Sequence, residues 1–289
     1  MSAMAYITPG LTRIDFEDNL FVTTELDKDT NKEVKECIES KGGIIKSSVT
    51  KSTNYLIYED GKEETTKYKK ALELVQEKSL DINILPMSLF NIMRKGKELV
   101  EFGSYPFYAD GVKKPIKWLI LKRDDKKALL LSAYTLDAKP YNEKLIDINW
   151  ERCTLRKWLN EDFYNTAFME EEKAKIQLTK LKNDDNPKYK TPGGNDTEDK
   201  VFLLSIGEVN QYLLTESERM VTPSHYAVKQ GVCQGYTKNW WWLRSPGRGP
   251  VYAANISSKG YVSDSGNGVR YDNGGTVCPA LWIDLESEF

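Results

Sequence analysis

The sequence predicts a mixed fold of two modules, an α/β module over residues 15–96 and an α+β module over residues 101–289. Three observations carry the prediction. Within residues 15–96, short β-type runs alternate with helical apolar spacing. From Phe102-Gly103-Ser104-Tyr105 onward the texture changes, and a hairpin pattern follows at once. The C-terminal stretch then holds short β runs punctuated by glycines, the pattern of antiparallel strands. A chain of 289 residues accommodates two ordinary domains, and 40% apolar with 29% charged residues is the composition of a globular protein with a real core.

In the first module, residues 21–24 read as a strand, and Thr30-Asn31-Lys32-Glu33 has the spacing that caps a helix start. Val34, Cys37 and Ile38 then share one helical face, and Gly42-Gly43 supplies the left-handed exit. Residues 44–45 and 54–58 read as two more strands separated by a polar segment. Tyr68, Ala71, Leu72 and Val75 mark a second helix, residues 82–85 a buried strand, and residues 89–93 a closing helix after Pro86. The order β-α-β-β-α-β-α implies a small, mainly parallel sheet covered on both faces.

The ordered blocks Ile38-Glu39-Ser40-Lys41-Gly42-Gly43, Ser48-Val49-Thr50-Lys51-Ser52-Thr53-Asn54-Tyr55-Leu56-Ile57, Lys67-Tyr68-Lys69-Lys70-Ala71, then Ile84-Leu85 and Phe90 make this module resemble the BRCT domains, especially the single copies ending bacterial NAD-dependent DNA ligases. That resemblance implies a protein-binding module, in some members a phosphopeptide binder. Carried over by position, the phosphate-holding residues are Thr23 and Lys70, with Thr24 standing where phosphate binders usually have glycine. A hydroxyl, a helix-terminal N–H and an ammonium suit a phosphate dianion; the bland alternative is a strand threonine and a solvated lysine.

In the second module, residues 118–121 and 128–132 form a hairpin pattern around the charged turn 122–127. Residues 155–160 and 163–175 carry helical spacing. Residues 183–200 are polar with glycine and proline, a surface loop; residues 201–205 read as a buried strand and 206–214 as a helix. The last β runs are 240–245, 251–256, 260–263, 269–271 and 280–283, with turns at 257–260, 265–268 and 273–275, which reads as an antiparallel meander.

Thr154-Leu155-Arg156-Lys157-Trp158-Leu159-Asn160, Val201-Phe202-Leu203-Leu204-Ser205, Trp241-Trp242-Leu243-Arg244-Ser245-Pro246-Gly247 and Pro279-Ala280-Leu281-Trp282-Ile283 make this module resemble the DUF6273 family. That family is similar to the C-type-lectin fold, with its formylglycine-generating-enzyme and retroelement-diversified variants. The departure is Cys278, where relatives usually carry arginine. The resemblance implies an exposed terminal face that binds ligand, here Tyr252, Asn255, Ser257, Tyr261, Ser263, Ser265, Asn267, Tyr271, Asp272 and Asn273. Its Tyr/Ser/Asn make-up is that of a paratope and equally of plain solvent-facing strands. The resemblance further implies a variable protein of a diversity-generating retroelement, its terminal face hypervariable.

Forty-one basic against 43 acidic residues leave no global positive field for phosphate backbones, which argues against nucleic acid. The N-terminus shows no secretory signal and no stretch is apolar enough to span a bilayer, so the expected location is cytoplasmic. Cys37, Cys153, Cys233 and Cys278 lie far apart and read as free thiols. His225, the only histidine, lacks the partners of a zinc site or a general base. Trp240, Trp241, Trp242 and Arg244 offer a stacking platform or, more simply, core with an internal ion pair. No cofactor or metal is expected. The expected function is non-enzymatic recognition, of a protein or other ligand at the terminal face and of a protein partner at the BRCT-like module. The alternatives are a DNA-repair or nucleic-acid-associated adaptor and an enzyme of formylglycine-generating-like fold.

Overall fold

The computed structural model of the chain describes residues 13–59, 62, 64–231, 240–270 and 275–285. They fall into two compact units divided between Leu99 and Val100.

The first unit runs β1 (Leu20–Thr24), α1 (Lys28–Ser40), β2 (Ile44–Lys46), β3 (Tyr55–Tyr58), α2 (Thr66–Lys78), β4 (Asn83–Pro86), α3 (Met87–Met93). The expected element order holds, and the four strands form one parallel sheet in the order β2-β1-β3-β4. Adjacent residues Phe21 and Val22 are both fully buried, which requires cover on both faces. Val22, Leu56 and Ile84 pack with Tyr68, Ala71 and Leu74 of α2; Phe21 points the other way, its ring stacked 4.6 Å from Tyr55. Each Val, Leu, Ile or Phe side chain among these contributes about 1.5–3 kcal/mol by leaving water. Helix α1 starts earlier than the Thr30-x-x-Glu33 spacing indicates. Asp27 is its cap, accepting from the backbone N–H groups of Asp29 and Thr30, and a carboxylate at a helix N-terminus also meets the favourable end of the dipole. Gly42, at φ +84°, makes the left-handed exit.

The second unit contains β5 (Leu99–Pro106), β6 (Lys113–Arg123), β7 (Lys127–Ser132), β8 (Tyr134–Thr135), β9 (Asp137–Ala138), α4 (Thr154–Trp158), a π turn (Leu159–Phe163), α5 (Tyr164–Ala167), α6 (Glu170–Lys175), β10 (Thr179–Leu181), β11 (Thr197–Asp199), α7 (Ile206–Tyr212), α8 (Glu216–Arg219), β12 (Thr222–Pro223), α9 (His225–Lys229), β13 (Trp241–Pro246), β14 (Tyr252–Ile256), β15 (Val262–Gly268), β16 (Thr276–Val277) and β17 (Ala280–Asp284). One sheet has the order β17-β7-β6-β5 and another β15-β14-β13-β16-β9. The β6–β7 hairpin is where the sequence places it.

The terminal strands are not a simple meander. Strands β13, β14 and β15 are antiparallel neighbours, but β16 joins β13 in parallel and β17 crosses to the other sheet to pair with β7. Residues 265–268 are no turn, since β15 runs through them with an irregular register against β14. Residues 201–205 form no strand; Phe202 bridges Ala280 and the segment is buried. The 183–200 segment is mostly exposed and irregular, as expected of a surface loop, but it is tied down. It ends in β11, which pairs with β10, and Asn186 inside it is fully buried. Among the described residues no helix is long and apolar enough to cross a membrane.

Candidate functional site

In the first unit the chain leaves the carboxyl end of β1 toward α1, and the strand order places β2 on one side of β1 and β3 on the other. A crevice outside the carboxyl ends of parallel strands, where the order reverses, is the natural ligand position in such a sheet. There the structure has a cleft of about 700 Å³ lined by Thr23, Glu25, Asn31, Lys35, Lys46 and Lys67, among others. The three lysines come from α1, β2 and α2. Lys35 and Lys46 have no ion pair among the described residues, so the cleft presents uncompensated positive charge. Lys67 directs one N–H onto the Thr23 carbonyl, 2.9 Å away, and keeps its other two donors for the cleft.

Thr23 lines this cleft, and its hydroxyl donates to Asn31 Oδ1 at 2.8 Å. Lys70 is exposed and is not one of the cleft's walls. Lys67, the second residue of α2, takes the place assigned to Lys70. The displacement is one helical turn, and it follows from where α2 starts: Thr65 caps it by accepting from the Tyr68 N–H. The left-handed backbone falls on Glu25, at φ +60°, and not on Thr24, so Glu25 occupies the position where glycine is the unstrained residue. The Thr65 cap was a readable signal for Lys67; nothing local marked Lys35 or Lys46.

In the second unit the most chemistry-like motif residues are structural ties. Asp199 is buried and accepts from Arg156 Nε at 2.6 Å, Trp150 Nε1 at 2.9 Å and Thr197 Oγ1 at 3.0 Å. Asn160 donates to the carbonyls of Arg156 and Val201 and accepts from the N–H groups of Lys200 and Val201. Arg244 pairs with Glu208 and donates to the Leu203 carbonyl at 2.9 Å. Trp241 and Trp242 are both fully buried, and because neighbours on a strand face opposite ways, both faces of β13 are covered. Burial pushes the thiols of Cys153 and Cys278 up to about 12, which suppresses the thiolate. Cys37 is also free, and Cys233 lies outside the described residues. His225 opens α9 next to its cap, Ser224. Among the described residues no His/Cys/Asp/Glu group could hold a metal.

The proposed terminal ligand face divides. Register and alternation place Asn255 beside Ser263 and Ser257 beside Tyr261, whereas Tyr252 points to the opposite face, where the Arg248 guanidinium lies 4.1 Å over its ring. Ser257, Ser263, Ser265 and Asn267 are half-buried and Tyr261 is exposed. Asn255 does not meet solvent as expected: it is 3% exposed, and its Nδ2 has no hydrogen-bond partner among the described residues. Its place in the middle strand, between β13 and β15, explains the burial. Tyr271, Asp272 and Asn273 lie outside the described residues.

One buried acid, Asp137, forms no ion pair among the described residues. Asp137 accepts from the Tyr105 hydroxyl at 2.7 Å and from the Ala138 N–H at 2.8 Å, and burial raises its pKa against the opposing pull of Lys139 and these hydrogen bonds. A raised folded value contributes stability at pH below the ordinary carboxyl value near 4, and that contribution is lost as pH rises through the folded value. Asp137→Asn cannot ionise, and Tyr105 can turn to accept from its amide. The variant is therefore expected to be more stable than the parent at pH 8, with the gap closing near pH 4. Urea unfolding at both pH values checks this; a variant less stable at pH 8 refutes it.

Comparison with protein families matches residues 125–285 to DUF6273, a domain of unknown function, and residues 12–75 to the BRCA1 C Terminus (BRCT) domain. No curated protein and no solved structure matches the chain.

Proposed function

Because the chain belongs to the DUF6273 family and carries a BRCT domain ahead of it, we propose that it is a non-enzymatic adaptor that docks an anionic protein segment on the BRCT unit. BRCT is a protein- or nucleic-acid-interaction module. The observation that carries the reading is the cleft at the end of β1, where Lys35, Lys46 and Lys67 converge from three elements with, among the described residues, a single acid, Glu25, on the walls. The short reach of this charge, set within a chain of formal charge -2, favours a local acidic segment over a long phosphate backbone, which needs an extended basic surface.

The DUF6273 unit supplies a second recognition surface, the half-buried Ser257, Ser263, Ser265 and Asn267 with exposed Tyr261. The unpaired amide of Asn255 supports that reading, since an unsatisfied buried amide costs about 1–3 kcal/mol and a ligand group would offset it.

The test uses the full chain and immobilised degenerate nonapeptides rich in Asp and Glu. The double substitution Lys46→Glu with Lys67→Glu is expected to weaken capture by roughly tenfold or more, the scale of one or two charge-assisted contacts. Capture that is unchanged by the substitution, or that switches to duplex DNA, refutes the adaptor reading.

A further inference from the structure

Among the described residues, the only acidic wall of the BRCT cleft stands at its most constrained point. Glu25 follows directly on β1 with a left-handed backbone, φ +60°, in a conformation that glycine adopts without strain and glutamate does not. Its side chain makes no hydrogen bond or ion pair among the described residues, so its charge is not neutralised locally. The lysines are arranged differently. Lys35, Lys46 and Lys67 stand on separate elements at the ends of flexible stems, and they surround a volume of about 700 Å³.

We propose that Glu25 is the specificity-determining residue of this cleft, excluding a compact phosphate dianion from the strand end and leaving the lysines to hold the dispersed carboxylates of an acidic peptide. The inference rests on the adaptor reading above and names its ligand.

Two further contacts point the same way. A phosphate bound at the end of β1 needs short, directional donors, and the Thr23 hydroxyl has already given its proton to Asn31 Oδ1 at 2.8 Å. Lys67 is held by the Thr23 carbonyl at 2.9 Å, which fixes an ammonium beside the cleft but spends one donor. Beside Thr24 and the Asn31 amide the strand end carries the Glu25 carboxylate, and its repulsion of a neighbouring anion scales with the charge concentrated there. Two carboxylates spread along a peptide reach the outer lysines without placing double charge against Glu25.

The full chain, its Glu25→Gly variant and its Glu25→Gln variant are titrated by fluorescence anisotropy with two peptide mixtures of equal net charge, one centred on a single phosphothreonine and one carrying separated Asp and Glu. The parent is expected to favour the Asp/Glu mixture. Both variants are expected to bind the phosphothreonine mixture roughly tenfold more tightly than the parent does, the effect of removing one nearby like charge, with affinity for the Asp/Glu mixture changed far less. The glutamine variant separates charge from backbone freedom, and glycine at this φ keeps the fold. A parent that prefers phosphothreonine, or variants with parental phosphothreonine affinity, overturns the inference. If binding responds to Lys46→Glu with Lys67→Glu but not to Glu25, the inference alone falls; if no protein binds either mixture, the adaptor reading falls with it.

Discussion

Arg156→Met is expected to destabilise the second unit by about 3–5 kcal/mol, because it leaves a carboxylate buried without its cation. The side chain of Asp199 has no solvent exposure, whereas Arg156 is 26% exposed. The arginine is thus the only wet member of the pair, and the acid depends on it. Trp150 and Thr197 still donate to Asp199 after the substitution, but two neutral hydrogen bonds do not replace a charge-assisted one. Arg156 also donates to the carbonyls of Glu151 and Glu198, so the loss releases the segment before α4 and strand β11 together. At about 2–4 °C per kcal/mol for a unit of this size, melting is expected roughly ten degrees lower. The companion variant Arg156→Met with Asp199→Leu is expected to recover part of the loss, since it removes the stranded charge and keeps apolar volume. A single substitution costing less than about 1 kcal/mol, the level of an exposed ion pair, would show that Asp199 is not buried as described.

That pair also shows where the sequence was readable and where it was not. Alternating β and helical patterns were enough to order the first unit, because each element there is amphipathic or wholly apolar over its own length and pairs with near neighbours. The 118–132 hairpin was readable for the same reason. The buried ties of residues 183–200 were not, since polar composition says nothing about partners distant in sequence. Asn186 donates to the carbonyls of Pro246 and Asp264, 60 and 78 residues away, and Asp199 serves Arg156 and Trp150. The route of β17 to the other sheet and the parallel β13–β16 contact are equally non-local. In the BRCT cleft the carried-over Thr23 lay on the wall, while Lys70 missed by one turn because helix phase depends on the cap, and Asp27 and Thr65 set the two helix starts.

The irregular strand at residues 262–268 combines both lessons, and Gly266→Ala is expected to destabilise it by about 3–4 kcal/mol. Ser265-Gly266-Asn267-Gly268 has the composition of a turn, yet it lies within β15, where the four steps along the chain from Ser263 to Asn267 lie opposite the two from Asn255 to Ala253. The surplus is absorbed as a bulge, which needs a residue able to take a left-handed backbone. Gly266 does so at φ +66°, and a Cβ there would lie 2.0 Å from the Ala253 carbonyl oxygen. The left-handed conformation costs an L-residue about 1–2 kcal/mol, and because the obstructing atom is backbone of β14, relief by side-chain motion is closed and overpacking adds about 1–3 kcal/mol. Gly268→Ala is the control. Its Cβ would meet nothing closer than a Leu145 methyl at 3.9 Å, so stability should stay within about 0.5 kcal/mol of the parent. Urea unfolding gives the two magnitudes, and hydrogen exchange locates the damage, with the amides of β14 and β15 losing protection before those of β6 and β7. Should Gly266→Ala unfold like the parent, the bulge is misplaced, and Ser263 and Ser265 lose the geometry that gathers them beside Asn255.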